Sequence, residues 1–117
     1  MSTETIIYHN PRCSKSRQTL ALLEENGVTP TVIEYLNDPP DAATLQNLLS
    51  MLGLEPRELM RQKESLYKEL DLSDPALDSA DLIAAMQTNP ILIERPIVVR
   101  GDKAVIGRPP ENVLAIL

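Results

Sequence analysis

The sequence predicts an α/β fold in which an N-terminal βαβ unit and a C-terminal ββα unit flank a helical insertion over about 38–90. Three observations carry that prediction. β-prone runs fall only toward the two ends of the chain, leucines recur at helical spacing between them, and turn signals at Asn10-Pro11, Asp38-Pro39-Pro40-Asp41 and Asn89-Pro90 separate the segments. With 117 residues, 43% of them hydrophobic and no Phe or Trp, the chain suffices for one compact domain, 1–117, built on Leu, Ile, Val and Met.

Thr5-Ile6-Ile7-Tyr8 is the first strand, and Leu20 and Leu23 mark a helix that stops at Asn26-Gly27. Thr31-Val32-Ile33-Glu34-Tyr35 is the second strand. A strand, helix and strand this close together imply parallel pairing across a right-handed connection. Leu45, Leu48, Leu49 and Leu52 then continue at helical spacing to Gly53, and Pro56 opens a short helix through Arg61. Leu66 and Leu70 suit a further turn or two, and Asp78-Ser79-Ala80-Asp81 caps a helix carrying Leu82, Ile83 and Met86. Ile97-Val98-Val99 and Ala104-Val105-Ile106 flank Gly101-Asp102 as a hairpin, and Pro109-Pro110-Glu111 opens a last helix through Val113, Leu114 and Leu117.

Charge and composition narrow the function. Eleven basic against seventeen acidic residues give a net charge of -6, which disfavours nucleic acid and anionic lipid. No apolar run approaches the roughly 20 residues a membrane span requires. One Cys and one His are too few ligands for a structural metal site, so no bound metal or cofactor is expected. A single Cys closes no internal disulfide, and Met1-Ser2-Thr3-Glu4 lacks the basic start and apolar run of a signal peptide, which together imply a reducing cytoplasm.

The chemistry concentrates in "YHNPRCSKSRQTL", which holds the only His and the only Cys, His9 and Cys13, beside Arg12, Lys15 and Arg17. Cys13 falls in the turn before the first helix, whose leading N–H groups lack internal partners and carry about half a positive charge. That end, the neighbouring cations and a protonated His9 all favour a thiolate. An ordinary thiol with pKa near 8.5 is only about 3% ionised at pH 7, whereas a depression of about two units makes the thiolate the major form. Free Cys is usually buried in apolar cores, but a polar cationic turn at a helix start is the setting of a reactive one. Ser14 and Ser16 suit helix capping and, with Lys15 and Arg17, contact with a bound anion. The Cys13-Ser16 spacing is that of a C-x-x-C redox motif without its second thiol. Thr19 stands where a phosphatase-like loop requires arginine.

Over essentially its whole length the sequence resembles the ArsC-type arsenate reductases that use glutathione and glutaredoxin. "YHNPRCSKSRQTL" is similar to that family's catalytic loop, "YLNDPP" to its entry into the helical region, and "ELMRQKESLYKEL" to its middle helices. "NPILIERPIVV" and "IGRPPENVLAIL" are similar to its C-terminal sheet and helix. The resemblance implies a thioredoxin-like fold with a helical insertion. It also implies a nucleophile at Cys13, a helper at His9, oxyanion-handling arginines at Arg61, Arg95 and Arg108, and a cis peptide bond before Pro96. The implied reaction is attack of Cys13 on arsenate with loss of water, with glutathione as co-substrate and glutaredoxin as resolving partner.

The need for arginines follows from charge alone. A tetrahedral dianion about 4 Å from a thiolate is repelled by on the order of 8 kcal/mol at an effective dielectric of about 20. Guanidinium groups stay ionised and donate paired hydrogen bonds that offset this. On an acidic chain, that charge must form a local positive pocket. For Arg61, beside Glu58 and Glu64, an ordinary surface ion pair is the simpler reading; Arg95 and Arg108 each precede a proline that fixes the backbone.

The loop residues Arg12-Cys13-Ser14-Lys15-Ser16 depart from the Ala before and Gly-Thr after the cysteine that characterised reductases usually carry. Arg12 and Lys15 would equally serve a glutathione carboxylate in a general glutathione-dependent thiol oxidoreductase or a binding module without turnover. A redox-responsive regulator that binds RNA polymerase is a third reading. Its internal disulfide switch needs a second thiol, which Ser16 lacks.

Overall fold

The computed structural model of the protein describes residues 4–117. The first three residues, part of the segment read above as no signal peptide, lie outside it. The described chain forms two compact units, one running up to Asp38 and resuming at Arg95, the other Pro39–Glu94.

The first unit contains β1 (Thr5–His9), α1 (Ser14–Glu25), β2 (Thr31–Glu34), β3 (Ile97–Arg100), β4 (Lys103–Ile106) and a 3-10 segment, Pro110–Ile116. Its four strands lie in the order β2-β1-β3-β4. The βαβ reading holds, because β1 pairs with β2 in parallel, Ile6 opposite Thr31 and His9 opposite Glu34. β1 pairs antiparallel with β3, which turns into β4 through Gly101 and Asp102. Gly101 has φ 63°, the positive angle a two-residue hairpin loop demands of its first central residue. Ile7, Leu23, Val98 and Val113 form a fully buried cluster, with Leu20, Val28, Val105 and Ile116 packed around it. Burying each such aliphatic side chain is worth about 1.5–3 kcal/mol, so the cluster holds α1 and the Pro110–Ile116 segment against the sheet.

The second unit contains α2 (Ala42–Leu52), the 3-10 turn Pro56–Leu59, α3 (Ser65–Glu69), α4 (Ser79–Thr88) and the 3-10 turn Pro90–Leu92. The Asp41 carboxylate accepts the Thr44 N–H at 2.8 Å to start α2, and Asp78 and Asp81 form the capping box of α4. α4 packs on α2 and on the Pro56–Leu59 turn, where Leu45, Leu48, Leu59, Leu82 and Met86 are buried.

Two elements differ from expectation. The helix opened by Pro56 closes at Leu59 rather than reaching Arg61, because Arg61 donates its N–H to the Leu92 carbonyl at 2.7 Å, beside the bridge Met60–Ile93. The C-terminal helix is 3-10 throughout, since the apolar spacing of Val113, Leu114 and Leu117 does not distinguish the two helix types.

Candidate active site

Residues of the loop between β1 and α1 shape one another. The Asn10 carbonyl accepts the Cys13 N–H at 3.0 Å, and Asn10 Oδ1 accepts the Arg12 N–H at 3.0 Å, an Asx turn that folds the chain back before the helix. Arg17 Nη1 donates to the Pro11 carbonyl at 2.9 Å and ties the first turn of α1 to the loop. Cys13 is thereby the N-cap residue of α1, with φ -93° and ψ 123°, and its carbonyl accepts the Arg17 N–H.

At an N-cap, the side chain sits where the orphan N–H groups of the next two or three residues converge. No hydroxyl or carboxylate caps this helix. The sulfur holds that position instead. Burial pushes the Cys13 thiol up, but the Ser16 N–H, a hydrogen bond from Arg95, the Arg95 charge and the Lys15 N–H outweigh burial and bring it below its ordinary value. The residue is only partly buried, which suits a thiol that meets a reactant.

Arg95 reaches the thiol from the far end of the sequence. The Arg95–Pro96 peptide bond is cis, as the resemblance implied, and so is Arg108–Pro109, which was not anticipated. Between them Gly107 makes a close approach: a Cβ there would lie 2.6 Å from Thr19 Oγ1 and 2.9 Å from Pro96 Cγ. The Gly107 N–H donates to the Pro96 carbonyl at 2.9 Å, and the buried Thr19 hydroxyl donates to the Lys15 carbonyl at 2.8 Å and approaches the Gly107 carbonyl at 3.3 Å. Thr19 and Gly107 therefore hold α1, the cis-proline and the backbone of Arg108 in register. Neither was given this positioning role from sequence. The available signals were a polar residue on the buried stripe Ser16, Thr19 and Leu23, and a glycine just before Arg108-Pro109.

Several expectations need correction. His9 is 6% exposed and shares a 2.7 Å hydrogen bond through Nδ1 with Ser16 Oγ. Burial pushes its imidazole below the ordinary value of about 6.5, Glu34 pulls it up, and Arg17 pushes it down again, with a net lowering. The lowered pKa and the bond to Ser16 disfavour the protonated form through which His9 could have added to the charge beside the thiol. Ser16 neither caps α1 nor offers its hydroxyl to an anion. It is fully buried, with Oγ accepting the Asn10 N–H at 3.0 Å and paired with His9, and only its backbone N–H faces the sulfur. Ser14 donates no cap, and the Arg17 guanidinium is turned to Pro11. Arg12 and Lys15 are exposed. Among side chains, the cation that acts on the sulfur is Arg95 rather than the loop cations.

Arg108 is exposed, its carbonyl accepting from Asn112 at 3.2 Å. Arg61 belongs to the other unit, where its guanidinium donates to Glu64 and lies 3.9 Å from Glu94. The surface ion-pair reading of Arg61 thus holds, and a role with oxyanions rests on the resemblance alone. Among the described residues there is no cluster of three or more His, Cys, Asp or Glu able to hold a metal, and no helix long and apolar enough to cross a membrane.

A βαβ start, a lone activated cysteine capping the first helix and a cis-proline leading into an antiparallel hairpin define a thioredoxin-like thiol protein. The comparisons agree. The ArsC family matches residues 8–116, and the chain belongs to that family. It is 63% identical to the uncharacterised protein YfgD of Escherichia coli, over 100% of this chain and 99% of that one. It is 50% identical to an arsenate reductase of Neisseria meningitidis, over 97% and 98% of the two chains. The solved structure of an arsenate reductase from Vibrio cholerae superposes with a TM-score of 0.97 at 55% identity, covering 100% of both chains.

Proposed function

We propose that the protein is an arsenate reductase that draws its electrons from glutathione and glutaredoxin. The observation that carries this reading is the Cys13 thiol at the N-terminus of α1, favoured as a thiolate by backbone N–H groups and by Arg95. The arsenate reductases among its relatives support the choice of oxyanion.

In this reading the Cys13 thiolate attacks arsenic, one arsenic–oxygen bond breaks, and the oxygen leaves as water after taking up protons. Arg95 then changes partner, from a free thiolate to the oxygens of the adduct, where its fixed charge stabilises negative charge displaced from sulfur. Arg108 approaches the same anion from the segment locked by Gly107. The Ser16 and Lys15 N–H groups keep the helix end positive throughout.

Reduction of As(V) to As(III) takes two electrons, and one cysteine cannot supply them while returning to its starting state. Glutathione replaces a second oxygen as water, and a glutaredoxin thiolate then attacks the glutathione sulfur. The sulfur–arsenic electron pair stays on arsenic, and glutathione and glutaredoxin leave joined as a disulfide. Hydrolysis of the remaining arsenic–Cys13 bond releases arsenite and regenerates the thiol. Every electron leaving a thiol thus appears either on arsenic or in that disulfide.

A coupled assay with arsenate, glutathione and glutaredoxin tests this. The parent should turn over arsenate and Cys13→Ser should not. No turnover by the parent above the uncatalysed rate would remove the reductase assignment, and equal rates for the two proteins would remove Cys13 as nucleophile.

A further inference from the structure

Beside the reactive loop lies a groove of about 360 Å³ with residues 9–12 on one wall and Glu34, Leu36 and Asn37 on the other. The parallel register sets His9 opposite Glu34 at the ends of β1 and β2, and both residues line the groove together with residues that follow each strand. None of the chemistry above uses Glu34 or Asn37. The volume lies at the lower end of the range for small-molecule sites, about 300–1,000 Å³.

Its lining argues against a second arsenate site. The Glu34 carboxylate would repel a dianion, and burial disfavours a compensating charge on the neighbouring His9 ring. Arg12 supplies a cation, Glu34 an anion, Asn10 and Asn37 side-chain amides, and Leu36 an apolar surface that is 39% exposed. Opposite charges, amides and a small apolar contact complement a ligand that itself carries both signs and peptide groups. An amino-acid zwitterion within a short peptide is such a ligand. The position also fits: Cys13 itself does not line the groove, but its chain neighbour Arg12 does, so the groove adjoins the loop that carries the thiol.

We propose that this groove binds the peptide thiol co-substrate, with Arg12 taking a carboxylate, Glu34 the α-ammonium group, and Asn10 and Asn37 the peptide amides. The assignment rests on the glutathione-dependent reading above and deepens it. Arsenate would be held at Cys13 and Arg95, and the second thiol delivered from the Glu34 side of the loop.

The test uses S-methylglutathione, which cannot react, so binding is read without turnover. Titrated into the isotope-labelled protein, it should shift the side-chain amide resonances of Asn10 and Asn37. Arg12→Gln and Glu34→Gln should each weaken binding roughly three- to tenfold, the range for partly exposed charged contacts. N-acetylation of the γ-glutamyl nitrogen should weaken binding to the parent by a similar factor, yet change nothing further in Glu34→Gln, because the partner of the ammonium group is already gone. The proposal is overturned if the peptide leaves Asn10 and Asn37 unperturbed, or if the two losses are simply additive. Binding at the groove without arsenate turnover would sink the reductase reading while leaving the groove intact. Turnover with no binding there would do the reverse.

Discussion

Ser16 shows how much of the site hangs on one small side chain. Its hydroxyl accepts the Asn10 N–H and pairs with His9, while its own N–H faces the Cys13 sulfur. Ser16→Ala keeps the N–H and deletes the hydroxyl, leaving the Asn10 N–H and His9 Nδ1 without that partner. A buried unpaired group costs about 1–3 kcal/mol, so urea denaturation should register a loss of that size. His9 has its own signature. Its folded pKa is depressed, so its contribution to stability is fully present above the unfolded value of about 6.5 and is lost as pH falls through the folded one. Stability should decline on acidification below pH 7, and His9→Asn should flatten that decline, which unfolding curves measured across pH would show. The sequence marked His9, Cys13 and their neighbours as a unit, yet allowed the imidazole a positive charge and offered Ser16 as a cap or an anion contact. Burial and pairing decide those roles, and neither is visible in residue order.

At the scale of elements, the contact between α1 and the segment entering the Pro110–Ile116 helix governs register. A Cβ at Gly107 would stand 2.6 Å from Thr19 Oγ1 and 3.0 Å from Thr19 Cγ2. Gly107→Ala should therefore cost about 1–3 kcal/mol through overpacking. Adding Thr19→Ala removes both of those atoms, so the double variant should be more stable than the sum of the single losses predicts; strict additivity in a double-mutant cycle would contradict the close approach. Elements set by local chemistry were legible: the parallel β1-α1-β2 unit, the hairpin at Gly101-Asp102, and the helices opened at Asp41 and Asp78. The C-terminal segment was read as an α-helix because 3-10 and α helices share apolar spacing over so short a run. The Gly107–Thr19 contact was not legible, since it joins positions remote in the chain.

For the whole molecule, the proposed reductase reading has the lone cysteine set the electron flow. Incubated with arsenate but no external thiol, the protein should release no arsenite, and arsenite should appear only when glutathione and glutaredoxin are added together. Arsenite production by the protein alone would contradict the one-thiol scheme. The acidic balance of -6 has a structural counterpart, because the charge that matters is brought locally by folding. The sequence offered three loop cations to favour the thiolate. In the folded chain Arg17 is turned to Pro11, Arg12 lines the groove, and it is Arg95, supplied beside the cis-proline, that meets the sulfur. The proline after Arg95 marked it as a residue of fixed backbone, and the family resemblance alone gave it a partner, because a contact with the Cys13 loop leaves no local pattern.

The state of that sulfur can be read directly. Thiolate absorbance at 240 nm, followed against pH in the intact protein, should give a Cys13 pKa below the ordinary value of about 8.5, and Arg95→Ala should move it upward. A Cys13 titration at or above the ordinary value, unmoved by loss of the guanidinium, would contradict the account.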